Sequence, residues 1–168
     1  MVGVSTSGAA RLTLPSDEQI LIEREFDAPR QLVFKAWTTP ELVRRWWHAK
    51  RGEMTVAEID LRVGGAWRFV MVTADGTEVG FHGEYREIVP DELLVSTEVY
   101  EGLPEGVREE DAATVNTAAF EEIDGRTKLT ILVQAPSKVA RDAIIESGME
   151  DGLRDALDLL EQTAASLR

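Results

Sequence analysis

Cysteine is absent from the 168 residues. Disulfides, thiolate nucleophiles and thiolate metal sites are excluded with it, and the chain suits a reducing compartment such as the cytoplasm. Histidine is scarce, with only His48 and His82. A structural zinc site therefore lacks ligands, and imidazole acid–base chemistry has two candidates at most. No apolar run approaches the roughly 20 residues that cross a bilayer. Positive charge is also short, with 18 Lys and Arg against 31 Asp and Glu, a net charge of −13. Beyond Arg44-Arg45 and Lys50-Arg51 it is not clustered. A phosphate backbone or an anionic membrane surface would meet repulsion, so neither nucleic acid nor membrane is an expected partner. Nucleophile elbow, phosphate-binding glycine loop and paired-histidine helix motif are all missing.

What is present reads as one domain of ordinary soluble composition. Residues 1–16 are small and polar and read as a flexible tail, without the basic stretch and apolar core of a secretory leader. Residues 17–168 form the expected domain. Gln19–Phe26 is a first strand, after which Asp27 is placed to cap a helix and Pro29 to open it. That helix carries Leu32, Val33, Ala36 and Trp37 on one face. A second short helix follows, with Thr39 capping, Pro40 at its first position and Leu42, Val43, Trp46 and Trp47 as its apolar stripe.

From Met54 the hydrophobic period changes to two. Strands are predicted at Met54–Arg62, Ala66–Thr73, Glu78–Ile88, Leu93–Tyr100, Thr114–Glu122 and Lys128–Gln134. The turn formers Gly64-Gly65, Asp75-Gly76, Pro90-Asp91 and Asp124-Gly125 separate successive strands, which must then run antiparallel. The acidic connection Glu101–Ala113 is too long for a tight turn and is expected to be an exposed loop. Pro136-Ser137 opens a final amphipathic helix with Ile145, Met149, Leu153, Ala156, Leu157, Leu160 and Ala164 on one face. Gly148 and Gly152 within it predict a kink near Gly148, or a close approach of the helix backbone to another surface. The fold class is α+β: a curved antiparallel seven-stranded sheet around a long C-terminal helix, with two short helices after strand one. Its natural cavity lies between sheet and helix.

Specific residues join this order of elements. The run Phe26-Asp27-Ala28-Pro29, Ala36-Trp37-Thr38, Pro40-Glu41, Trp46-Trp47 and Asp60-Leu61-Arg62-Val63-Gly64-Gly65 resembles the START-like (SRPBCC) superfamily. Gly83–Pro90, Gly125–Thr130 and Ser147–Gly152 continue the likeness, which spans roughly Glu18 to Leu160. Within the superfamily the chain is similar to the branch of the heat-shock-protein ATPase activator homologues. The resemblance implies a helix-grip fold with a deep cavity, and members that bind lipids, hormones or polyketides or that act as cyclases or hydrolases. His48-Ala49-Lys50-Arg51 departs from the proline and glycine that often follow the paired tryptophans. Leu153 stands where relatives often carry an aromatic.

The expected ligand-lining residues are Trp67, Phe69, Met71, Phe81, Tyr85, Thr97 and Val99 from the strands. Met149 and Leu153 would approach from the last helix, Trp46 from the helical pair, and His82 would help orient a ligand. Apolar walls with a few hydroxyls suit a small hydrophobic molecule. No catalytic residue, metal site or cofactor is assigned. An alternative is a cyclase- or hydrolase-type enzyme using His82, Glu84 or Tyr85 in the same cavity. Another is a chaperone-binding, stress-response module, as the family name suggests. A homodimer through an exposed strand edge or the helical pair is left open.

Overall fold

Strand pairing starts earlier than expected, within the segment read as a tail. The computed structural model describes residues 10–168, so most of the predicted tail, residues 1–9, lies outside the described residues. Arg11–Thr13 forms a short strand, β1, paired antiparallel with β2 (Gln19–Phe26). The sheet thus has eight strands rather than seven. Three residues are too few for a periodic signal, and only pairing to an existing edge makes them a strand.

After β2 come α1 (Arg30–Thr38) and α2 (Pro40–Val43), then β3 (Gly52–Ile59), β4 (Ala66–Thr73), β5 (Glu78–Val89), β6 (Leu93–Tyr100), β7 (Thr114–Ile123) and β8 (Arg126–Gln134). The chain ends in α3 (Lys138–Glu146) and α4 (Met149–Ala165). Pro40 does open α2, but Thr39 makes no side-chain cap bond, and Pro29 rather than Asp27 holds the cap position of α1. Ser137 caps α3, accepting from the Ala140 amide at 3.1 Å. The predicted long helix breaks at Gly148, whose φ of 82° is left-handed. Gly152 continues α4 with open space beside it, so the helix makes no close backbone approach there.

The strands run in the order β1-β2-β8-β7-β6-β5-β4-β3, every pair antiparallel. Neighbours across an antiparallel ladder share a face, so the register defines the concave wall. It carries Ile20, Ile22, Arg24 and Phe26 on β2, and their partners Val133, Ile131, Leu129 and Thr127 on β8. Ala118 and Phe120 follow on β7, Leu94 on β6, Tyr85 on β5, and Trp67 and Phe69 on β4. These pack in one core with Val33 and Phe34 of α1 and with Leu157, Leu160 and Ala164 of α4.

Arg24 fastens α4 to the sheet. Its side chain is 1% exposed, with Nη1 2.7 Å from Asp158 and Nη2 3.2 Å from Glu161. Glu161 also accepts from the Asp27 amide at 2.8 Å, tying the end of β2 to the same helix turn. Among the described residues no helix is long and apolar enough to cross a membrane.

Candidate functional site

The aromatic stripe of β4 forms one side of the site. Trp67 and Phe69 lie 5.0 Å apart between ring centroids, and Trp47 meets both Phe69 and Phe81 edge-on at 5.7 Å. Tyr100 stacks obliquely on Phe81 at 5.1 Å. Trp67 lies across Gly83 and donates from its indole to the Thr97 carbonyl at 3.2 Å. A Cβ at Gly83 would stand 1.8 Å from that carbonyl oxygen and 2.7 Å from the indole nitrogen. Only glycine leaves room for this ring at the floor of the wall.

The Asp60–Gly65 turn positions the next residue. Gly64 donates its amide to the Tyr85 carbonyl at 2.8 Å, and the Tyr85 amide donates to Gly65 at 2.9 Å. Tyr85 is thus pinned by its backbone, with its ring in the core and only 4% of its surface exposed. Its hydroxyl has no hydrogen-bond partner among the described residues, and burial pushes its pKa upward.

Beside Tyr85 the wall turns polar. Ser96 pairs with Tyr85 on one side and Asn116 on the other, and Glu98 pairs with Thr114. Thr114 donates to the Asn116 side-chain oxygen at 3.0 Å, and the Asn116 amide donates to Glu98 at 3.3 Å. Burial raises the Glu98 pKa, opposed by that single amide bond. Glu98 is surrounded by protein and yet keeps accessible surface, as do Ser96, Asn116, Phe81 and Trp47. Inward-facing residues that solvent still reaches leave this part of the concave wall incompletely covered.

Not every expected residue lies on this wall. Trp67, Phe69, Met71, Phe81 and Tyr85 do, and Met149 and Leu153 pack toward the core from α4, half-buried. His82, Thr97 and Val99 were expected there and lie on the opposite, convex face. The register pairs Tyr100 with Phe81 and Val99 with His82, which turns the even-numbered residues of β6 inward. Val95, Thr97 and Val99 look like the buried set because the Glu101–Ala113 loop covers part of the convex face, over Val99 and beside Leu103 and Val107. Trp46 is buried, donating to the Ala36 carbonyl at 2.9 Å and stacked on Trp37 at 5.1 Å. It is Trp47 that meets the sheet rings.

On the convex face His82 belongs to a polar cluster. Arg68 donates twice to Glu101, 2.9 Å each, and His82 Nδ1 lies 2.8 Å from the same carboxylate. Nε2 is 3.3 Å from Glu109. The Arg68 hydrogen bond, aided by His82, holds the Glu101 pKa down at about 2. Glu84 pairs with Ala66 on this face too, so of His82, Glu84 and Tyr85 only the tyrosine faces the concave side. Two surface hollows, of about 150 and 320 Å³, flank this cluster. Among the described residues no group of three or more His, Asp or Glu side chains could hold a metal ion.

Ser96, Glu98, Thr114 and Asn116 had no signal in the sequence. Polar residues at alternate strand positions ordinarily face water, and only the register shows them facing inward. The model of the family described as activator of Hsp90 ATPase homolog 1-like protein matches residues 27–165. The chain belongs to this family. Solved structures similar to this activator-homologue chain show the same fold. A Rhodobacter sphaeroides protein matches with a TM-score of 0.84 and 25% identity, over 95% of this chain and 100% of its own. An Arthrobacter aurescens protein matches at 0.81 and 24% identity, over 96% and 93%. A protein from Aeromonas hydrophila described as AHSA1-like matches at 0.65 and 20% identity, over 89% and 93%. Among curated proteins none matches the chain.

Proposed function

We propose that this chain is a cytoplasmic START-like protein that binds a small, largely hydrophobic molecule in the hollow between the concave sheet face and α4. The observation that carries this reading is the partial exposure of inward-facing Trp47, Phe81, Met149 and Leu153. These large apolar groups pack against the core without being closed off by it. Leaving such surface wet is costly unless an occupant covers it. The ligand-lining set is Trp67, Phe69, Met71, Phe81, Tyr85, Met149 and Leu153, extended by Trp47. At roughly 25 cal/mol per Å², a ligand burying about 300 Å² of apolar surface gains about 7 kcal/mol before association costs. That gross gain sets a ceiling at about micromolar affinity, from which association costs subtract.

Binding rather than catalysis is the better reading. The imidazole that would have supplied acid–base chemistry lies on the far side of the sheet from the hollow. Native mass spectrometry of freshly purified protein is expected to show a co-purified small molecule. Displacement of an environment-sensitive fluorescent lipid by unlabelled hydrophobic compounds is expected to saturate at one site. Absence of both signals across chemically diverse ligands would remove the reading.

A further inference from the structure

The concave wall holds a carboxylate that no cation answers among the described residues. Glu98 stands between the Tyr85–Ser96 and His82–Val99 pairs of the β5–β6 ladder. Among the described residues no lysine, arginine or histidine pairs with it. Its one hydrogen bond comes from the Asn116 amide. Arg24, the arginine that shares this wall, is engaged with Asp158 and Glu161. Register places it level with Phe120 on β7, whereas Glu98 is level with Thr114. That separation is roughly 20 Å along the strand.

Three further observations point to what would answer the charge. Aromatic rings adjoin its place in the ladder: the Trp67 indole reaches over the neighbouring Gly83, and Trp47, Phe69 and Phe81 form a continuous cluster with Trp67. Aromatic faces attract organic cations, most strongly where water is excluded. Hydrogen-bonding capacity is left open, since the Tyr85 and Ser96 hydroxyls have no partner among the described residues and Tyr85 is 4% exposed. The net charge of −13 also concentrates cations around the molecule and repels anions.

We propose that the hollow takes an amphipathic organic cation, an amine or quaternary ammonium on an apolar body, with its head against Glu98 and its body over the rings. This rests on the hollow being a binding site and names the class of its ligand. A primary amine would also donate to the Tyr85 and Ser96 hydroxyls. A carboxylate head would meet the Glu98 charge, and a neutral alcohol would leave that charge unanswered.

Ligands of one chain length test the idea: decyltrimethylammonium, 1-decanol and decanoate, each below its micellar concentration. Binding is followed by tryptophan fluorescence and by calorimetry. The ammonium is expected to bind about tenfold more tightly than the alcohol, with decanoate weakest. Glu98→Gln is expected to erase the difference between ammonium and alcohol while alcohol binding persists. Glu121→Gln removes the same charge from the exposed convex side of β7 and is expected to preserve it. Glu98→Met serves as a second variant, with the expectation of Glu98→Gln. Equal binding of ammonium and alcohol, or a preference surviving in both Glu98 variants, overturns the assignment while leaving an apolar site in place. No binding of any of the three overturns the hollow as a site, and the assignment with it.

Discussion

Two glutamates on opposite faces of one sheet are shifted from the ordinary carboxylate pKa in opposite directions. Glu98 is driven up by burial, and Glu101 is held at about 2, mainly by the hydrogen bonds from Arg68. The linkage signs differ accordingly. Between the ordinary carboxylate value of 4.5 and the raised native value, the folded state binds more protons at Glu98 than the unfolded state does. Stability from this residue therefore falls as pH rises through that window. Glu98→Gln is expected to stabilise the protein at pH 7 by on the order of 1 kcal/mol, with the advantage gone by pH 4. Urea melts at the two pH values check it, and a destabilised pH 7 variant would contradict the unanswered charge. Glu101 behaves conversely. Its contribution is present above pH 4.5 and is lost as pH falls toward about 2. Glu101→Gln is expected to flatten the acid-side loss over that window, read from melts between pH 5 and 2.

At the scale of elements, the attachment of α4 rests on a cation buried between helix and sheet. Arg24→Ala removes the partner of Asp158 and Glu161 and the guanidinium that lies over the Phe26 ring, 4.9 Å from its centroid. A loss of about 3 kcal/mol is expected, or roughly 6–12 °C in Tm for a domain of this size. A shift under a degree would mean that α4 is held by its apolar face alone. The break between α3 and α4 depends on one backbone angle, so Gly148→Ala is expected to cost about 1 kcal/mol in the same melts. Glycine at that point was the legible sign of the break, because side chains disfavour φ of 82°. The strands of β4 and β6 were legible to the residue, since both are bounded by turn formers and carry β-branched and aromatic residues. The inward face of β6 was not. Its odd positions are the more apolar because a loop covers Val99, and two of its even positions, Ser96 and Glu98, are polar although they face inward. Period two gives two faces but not which one is inside, and only pairing with Phe81 and Ala118 decides that. β1 was illegible for want of length, and Trp47 was passed over for Trp46 because helical spacing cannot tell adjacent tryptophans apart.

The whole molecule is unevenly closed. The C-terminal turns of α4 are sealed, with Leu157, Leu160 and Ala164 fully buried, whereas Met149 and Leu153 at its start and Ile144 and Ile145 of α3 are only half-buried. The covered end is tied to β2 through Arg24, and no comparable buried ion pair joins the other end to the wall among the described residues. Local opening takes least free energy where apolar contacts are fewest, so α3 and the first turns of α4 form the side through which a ligand would enter. An occupant that binds only the folded state stabilises it by about 2.7 kcal/mol at one hundred times its Kd, or roughly 5–11 °C in Tm. The same occupant fills the gap under the open end and leaves the sealed end as it was. Hydrogen exchange with decyltrimethylammonium at saturation is therefore expected to slow at the amides of 144–153 and to change little at 157–164. The Tm should rise in the same samples. Uniform slowing along α4 would mean global stabilisation without a located site. A rise in Tm with unchanged exchange at 144–153 would place the ligand away from the hollow, on the convex face beside His82 and Glu101.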